Sequence, residues 1–243
     1  VFEDLTHLIK TQKIAAWKEV AQGIAHEIKN PLTPIQLNTQ RLKKKYYENK
    51  DDFDRVFDES IHIITQEVEG MKELLNEFLR FSRMPTPNPR PTFLHKLIDD
   101  ILISYSEHDK KIKIKKSFDP NLGALNIDPE QIHRVFINLF QNATDAIEEG
   151  GSIHISTRIM QKEKHVRIEF SDDGTGISAT DREKLFLPHF TTKKRGTGLG
   201  LAIVNRIIID HNGSIRVKDN SPKGTVFVID LPYTPLALET ERA

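Results

Sequence analysis

A chain of 243 residues with 37% hydrophobic and 29% charged side chains has room for one large or two ordinary domains, and reads as a soluble globular protein with a highly charged surface. Lysine plus arginine equals aspartate plus glutamate at 35 each, which removes the global electrostatic case for a nucleic-acid partner, and the absence of cysteine excludes disulfides and thiolate metal sites and suits a reducing compartment. No apolar run approaches the roughly 20 residues of a membrane span, no signal peptide is visible, and the chain begins at Val1 rather than methionine, so a fragment is expected whose upstream part is missing and carries any membrane attachment.

In the first third, apolar or small residues recur at Ile14, Trp17, Ala21, Ile24, Ile28, Leu32, Ile35, Leu42 and Tyr46, the three- and four-residue steps of a helical bundle seam. His26 lies between Ile24 and Ile28, roughly 200° around the helix from Ile24 at about 100° per residue, so it faces away from the seam. A lone exposed histidine is usually only a surface residue. This one sits in Ala25-His26-Glu27-Ile28-Lys29-Asn30-Pro31-Leu32, beside a carboxylate and just ahead of a proline. After the polar break Tyr47–Asp52, a second stripe runs through Phe53, Phe57, Ile61, Ile64, Val68, Met71, Leu75, Phe78 and Phe81. Two such helices make an antiparallel hairpin. Each stripe is too long for one partner to cover, which predicts a homodimer through a four-helix bundle.

The stretch Met84-Pro85-Thr86-Pro87-Asn88-Pro89-Arg90-Pro91 cannot continue a helix and predicts an extended, stiff connector at a domain boundary. Beyond it the pattern predicts a helix from Phe93 to about Ser106, strands at Ile112–Ser117 and Ala124–Ile127, and a helix over Pro129–Glu148. A hairpin of Ser152–Met160 and His165–Ser171 follows, then a loop-rich stretch to Gly198, a helix from Leu199 to about His211, and strands Ser214–Lys218 and Thr225–Leu231. Antiparallel neighbouring strands with helices on one face make an α+β sandwich.

Four segments of this second region carry chemistry. Asn138 and Asn142 share a helix face opposite Val135, Leu139, Ala143 and Ala146, and amide carbonyls are neutral oxygen ligands suited to Mg²⁺ on nucleotide phosphates; alone, the pair reads as an ordinary polar face. Asp172-Asp173-Gly174-Thr175-Gly176 follows a strand: a carboxylate accepts the exocyclic amino hydrogen of adenine, and glycines let backbone approach the base. Phe186-Leu187-Pro188-His189-Phe190-Thr191-Thr192-Lys193 reads as a lid. It precedes Gly196-Thr197-Gly198-Leu199-Gly200, a glycine loop opening a helix whose unpaired N–H groups form an anion site beside Lys193, Lys194 and Arg195.

In this order the segments resemble the catalytic core of a two-component sensor histidine kinase, from about Ile14 to Leu231, most similar to nitrogen-regulation kinases of the NtrY type. The resemblance implies a dimerisation and histidine-phosphotransfer hairpin over residues 14–83 and a proline linker over 84–91. An ATP-binding α+β sandwich of the gyrase/Hsp90/histidine kinase/MutL type would follow over 92–233. Residues 1–13 would end an upstream signalling helix and 234–243 would form a flexible tail. Ala25–Leu32 matches the H box, Asn138–Asn142 the N box, Asp172–Gly176 the G1 box, Phe186–Phe190 the F box and Gly196–Gly200 the G2 box.

By the same resemblance His26 is the phosphoacceptor, Glu27 orients its ring, and Asn30 orients water for dephosphorylating the partner regulator. Asn142, supported by Asn138, holds Mg²⁺. Asp172 reads adenine, with Gly174 and Gly176 beside it. Gly196, Gly198 and Gly200 shape the phosphate loop, Lys193 or Arg195 steadies the triphosphate, and Phe190, Thr192, Thr197 and Leu199 complete the nucleotide-binding set. The implied cofactors are ATP and Mg²⁺. The implied partners are a second copy of the chain and a response-regulator receiver domain, and the implied location is the cytoplasmic part of a bacterial inner-membrane sensor. Asn138 stands where hydrolysing relatives place a glutamate base, which leans toward transfer rather than hydrolysis, and Asp145 stands where many relatives have a phosphate-directed lysine. A protein-serine kinase on the same ATP fold and a non-catalytic nucleotide-binding scaffold are the competing readings; the intact His26–Pro31 box and the full set of segments weigh against both.

Overall fold

The computed structural model describes residues 28–48, 52–82, 85–106, 112–148, 150–188, 190–193 and 197–234. The chain divides into two units: the helices of the first third together with Leu187–Leu199, and Pro85–Phe186 together with the chain from Gly200 on.

In the first unit, helix α1 occupies residues 28–48 and α2 is Phe53–Ser82. The helix α1 continues two residues into the predicted polar break, through Tyr47 and Glu48, and runs through Pro31 and Pro34. Pro34 has no N–H for the Asn30 carbonyl, and nearby side chains also bond to the helix backbone: Thr33 Oγ1 donates to the Lys29 carbonyl (3.3 Å) and Asn38 Nδ2 to the Pro34 carbonyl (2.9 Å). The hairpin is antiparallel, because Arg41 pairs with Glu59 while Lys45, nearer the turn, pairs with Asp52. Val56, Ser60 and Leu74 are buried, yet Leu32 is 47% exposed, Tyr46 69%, Phe57 43% and Leu75 54%. One hairpin therefore leaves much of both predicted stripes in water.

The second unit contains β1 (Arg90–Thr92), α3 (Leu94–Ser106), β2 (Ile112–Ser117), β3 (Leu125–Ile127) and α4 (Pro129–Ala146). These are followed by β4 (Gly151–Met160), β5 (His165–Asp172), α5 (Ala179–Arg182), α6 (Gly200–Asp210), β6 (Ser214–Asp219) and β7 (Thr225–Pro232). The main sheet has the order β2-β4-β5-β7-β6, and β1 pairs antiparallel with β3 in a two-stranded ladder. Alternate residues of β4 and β5 (Ile153, Ile155, Val166, Ile168, Phe170) are buried, and Phe140 of α4 meets Phe170 edge-on with centroids 5.0 Å apart. This is the predicted α+β sandwich, with two corrections. β2 runs parallel to β4, not antiparallel; the intervening chain holds β3 and α4, long enough for the crossover a parallel pair requires. The loop-rich stretch also contains α5, started by Ser178 accepting the Asp181 N–H, an N-cap spacing present in the sequence.

The proline segment is tied to the start of α4. Asp128, its N-cap, accepts the Glu130 and Gln131 N–H groups at Oδ1 (3.0 and 3.1 Å) and the Asn88 N–H at Oδ2 (2.9 Å), while Gln131 Nε2 donates to the Pro85 carbonyl (3.0 Å). The Asp128 N–H donates to His211 Nε2 (3.0 Å), which leaves Nδ1 to donate to the Ile207 carbonyl (2.8 Å). Burial opposes ionisation of Asp128, but the Asn88, Gln131 and Glu130 donors outweigh it and hold the carboxyl below its ordinary range. A group depressed in this way stabilises the fold above its unfolded pKa and loses that contribution as pH falls through the folded value. Asp128→Ala is therefore expected to destabilise the protein by about 1–2 kcal/mol near neutral pH. Thermal melts of the two proteins should converge as the solution is acidified; a constant gap would contradict the assignment.

Candidate nucleotide site

Helix α4 ends at Ala146, two residues short of the predicted Glu148, because Ile147 is extended and the freed Ala146 carbonyl accepts the Thr175 N–H (3.1 Å). That bond presses the Asp172–Gly176 loop onto the end of the helix that carries both asparagines. A Cβ on Gly174 would lie 2.7 Å from the Ala146 Cβ and 2.8 Å from its carbonyl oxygen, so only glycine permits the approach. Gly176 adopts φ +79°, the left-handed region.

Asp172, the last residue of β5, is 3% exposed. Its Oδ1 accepts the Gly174 N–H (2.9 Å) and the Thr225 N–H (3.3 Å). Burial pushes the carboxyl above the usual carboxylate range, the adjacent Asp173 charge adds to this, and the two backbone donors work against it. Asp173, its neighbour in the motif, has a different task. It accepts both the backbone N–H and the hydroxyl of Ser152 (2.7–2.9 Å) and so ties the end of β5 to the start of β4. Burial opposes its ionisation, but the Ser152 donors prevail and lower its pKa. The two aspartates thus divide into an inward acceptor and a strand tie, a distinction sequence alone does not make.

Asn138 and Asn142 are both half-buried on α4. Asn138 Nδ2 donates to the Arg134 carbonyl (2.8 Å), which fixes the amide and leaves Oδ1 directed at the start of α6. A Cβ on Gly200 would be 2.7 Å from that oxygen, so the last glycine of the predicted phosphate loop is the one that makes room for the first asparagine. Among the described residues no group of three histidine, aspartate or glutamate side chains could hold a metal ion. A neutral amide oxygen beside a phosphate-bearing ligand suits Mg²⁺, which keeps water and phosphate oxygens as most of its ligands.

Of the segment expected to form a lid, the chain from Leu187 on belongs to the other unit. Phe190 is half-buried and its N–H donates to the Leu187 carbonyl (3.3 Å); the Lys193 N–H donates to Thr191 Oγ1 (3.1 Å), and Thr192 and Lys193 are exposed. Thr197 Oγ1 accepts the Leu199 N–H (3.5 Å) and Gly198 has φ +64°. Asn30 is exposed on α1. His26, Glu27, Arg195 and Gly196 lie outside the described residues.

Sequence reading missed the β6–β7 turn. Gly224 has φ +107°, and Asn220 Nδ2 donates to the Asp172 carbonyl (2.8 Å). The available signal was Gly224-Thr225 opening a strand after a polar turn, a pattern too common to single out unaided.

Two family models match the chain: the His Kinase A (phospho-acceptor) domain over residues 16–87, and the histidine kinase-, DNA gyrase B- and HSP90-like ATPase over 127–235. The nitrogen regulation protein NtrY of Azorhizobium caulinodans is 34% identical over 229 residues, covering 91% of this chain and 29% of that protein. The signal transduction histidine-protein kinase AtoS of Escherichia coli is 31% identical over 249 residues, covering 99% of this chain and 40% of that protein. The chain thus spans less than half the length of these two relatives. Among solved structures, histidine kinase ThkA in complex with the response regulator protein TrrA superposes with a TM-score of 0.73 at 30% identity, covering 97% of this chain and 68% of that one.

Proposed function

We propose that this chain, which belongs to the histidine kinase family, transfers the γ-phosphoryl group of ATP to His26 and from there to an aspartate of a response regulator. The observation that carries the reading is Asp172: a buried carboxylate with one oxygen held by two backbone donors and the other left to accept the adenine amino hydrogen. Glycines that admit close approach surround it, and the asparagine-bearing helix ends against its loop.

In this reading Asn142 and Asn138 would hold Mg²⁺, whose charge would offset that of the transferring phosphoryl group. The remaining work is positioning. Asp172 fixes the base, the Gly198–Gly200 backbone and Lys193 hold the triphosphate, and Asn138, which cannot act as a base, leaves water unactivated. The neutral imidazole of His26 attacks phosphorus in line. The N–P bond forms as the bond to the ADP oxygen breaks, and Glu27 holds the other ring N–H. The phosphoryl group then passes to the regulator carboxylate, and Asn30 orients water in the reverse, phosphatase direction. Exposed stripes on α1 and α2 fit pairing of two hairpins in a four-helix bundle, and the ThkA–TrrA complex supports a receiver domain as partner. We assign phosphotransfer to residues 14–83, the linker to 84–91 and ATP binding to 92–233, and place the chain on the cytoplasmic side of a larger sensor.

Incubation with γ-labelled ATP and Mg²⁺ is expected to give an acid-labile, alkali-stable phosphoprotein with the label mapping to His26. Alkali-labile label, or label on a serine or threonine peptide, would overturn the proposal.

A further inference from the structure

The Asp172–Ile177 loop is tied at one end to Asn220, which opens the turn after β6, and at the other end, through Arg182, to Asp219, the last residue of β6. At one end Asn220 Nδ2 donates to the Asp172 carbonyl (2.8 Å). At the other, the Arg182 guanidinium donates to the Ile177 carbonyl (3.3 and 3.4 Å) and pairs with Asp219. The Asn220 amide is itself held, because its Oδ1 accepts the Ser221 N–H (3.0 Å) and its backbone N–H donates to the Gly224 carbonyl (3.0 Å). An acceptor on one side and a donor on the other fix which end of that amide is which.

The Asp172 carbonyl belongs to the peptide unit whose N–H, from Asp173, donates to the Ser152 carbonyl (3.3 Å). With its oxygen held by Asn220 and its nitrogen by Ser152, that peptide plane cannot rotate freely. Its orientation sets where the Asp172 side chain leaves the backbone. The Thr225 N–H, from the strand the turn begins, then fixes Oδ1. The same turn therefore controls both the backbone and one carboxylate oxygen of the proposed base-reading residue.

Resting on the proposed role of Asp172, we infer that Asn220 is a positioning residue for adenine recognition. Through the Asp172 carbonyl it aims the free carboxylate oxygen at the 6-amino group, with the Arg182–Asp219 pair as the second anchor of the loop. Asn220 acts through the Asp172 carbonyl, so its effect is confined to one contact of the ligand.

The test compares binding of ATP and of purine riboside triphosphate, which carries the same sugar and phosphates without the 6-amino group, to the full chain by calorimetry. Wild type is expected to prefer ATP. Asn220→Ala should shrink that preference by about three- to tenfold, the range of one neutral hydrogen bond, while affinity for the purine analogue changes less than twofold. Asp219→Asn, at an exposed position, should reduce the preference by about twofold to threefold and supplies the answer if Asn220→Ala fails to fold. Equal loss of both nucleotides, or an unchanged preference in both variants, overturns the inference. If wild type itself shows no preference, the Asp172 reading fails first and this inference falls with it.

Discussion

Asp172→Asn is expected to weaken ATP binding by about 10²- to 10³-fold, the effect of replacing a charged acceptor by a donor opposite the adenine amino group, or roughly 3–4 kcal/mol. The substitution preserves shape. The asparagine oxygen can keep the Gly174 and Thr225 N–H groups, which turns its NH₂ toward the base, where two donors then meet. The same variant is expected to melt no lower than wild type, and to gain a few degrees. Burial raises the Asp172 pKa in the folded state, so between the unfolded and folded values the native protein binds the extra proton. Stability therefore falls as pH rises through that window, and the ionised carboxylate opposes folding at neutral pH. ATP affinity runs the other way: it is expected to decline as pH drops from neutral, at pH values above those of an ordinary aspartate, because protonation removes the acceptor. Asp172→Asn should be flat over the same interval. Calorimetric titrations across mildly acidic pH decide the matter. A variant with wild-type affinity, or one that retains the pH dependence, would remove Asp172 from base recognition.

This opposition of stability and binding marks where local sequence rules stop being informative. Periodicity located α2, α3, α4, α6 and the β4–β5 hairpin to within about two residues, because each carries its apolar residues on one face. It foresaw extended chain through the proline run but missed that Arg90–Thr92 pairs as β1 with β3, more than 30 residues later. It made β2 antiparallel to its neighbour because adjacency of strands in sequence says nothing about a pairing partner beyond an intervening helix.

The site divides along the same line. Asp172, Gly174, Asn138 and Gly200 stand out in the sequence because their side chains, or the lack of one, are what the proposed chemistry would use. Asn220 and Thr225 act from 48 and 53 residues away in sequence, through a side-chain amide on a main-chain carbonyl and a main-chain N–H on a carboxylate. Neither role needs a distinctive local pattern. Asp173 was legible as part of a motif but not as a tie to Ser152, since that depends on the β4–β5 register bringing the two strand ends together.

Gly224→Ala is expected to destabilise the protein by more than about 3 kcal/mol, because left-handed strain and backbone collision act together. An added Cβ would lie 2.0 Å from the Asp172 carbonyl oxygen and 2.8 Å from the Asp173 Cα, atoms of a strand end that cannot swing aside like the tip of a flexible side chain. The residue also has φ +107°, which L side chains rarely adopt. Relief requires the turn to move away from β5. That movement withdraws the Thr225 N–H from Asp172 Oδ1 and the Asn220 amide from the carbonyl, so ATP binding should disappear with the stability. At about 2–4 °C per kcal/mol for a chain of this size, the midpoint should fall by at least about 6 °C. Gly70 supplies the contrast. It lies inside α2 with nothing within 4 Å of its added Cβ, and Gly70→Ala is expected to stabilise the helix by about 0.5–1 kcal/mol. Equal melting of Gly224→Ala and wild type would mean that the turn does not abut Asp172 in solution, and both the crowding at that carbonyl and the anchoring role of Asn220 would have to be abandoned.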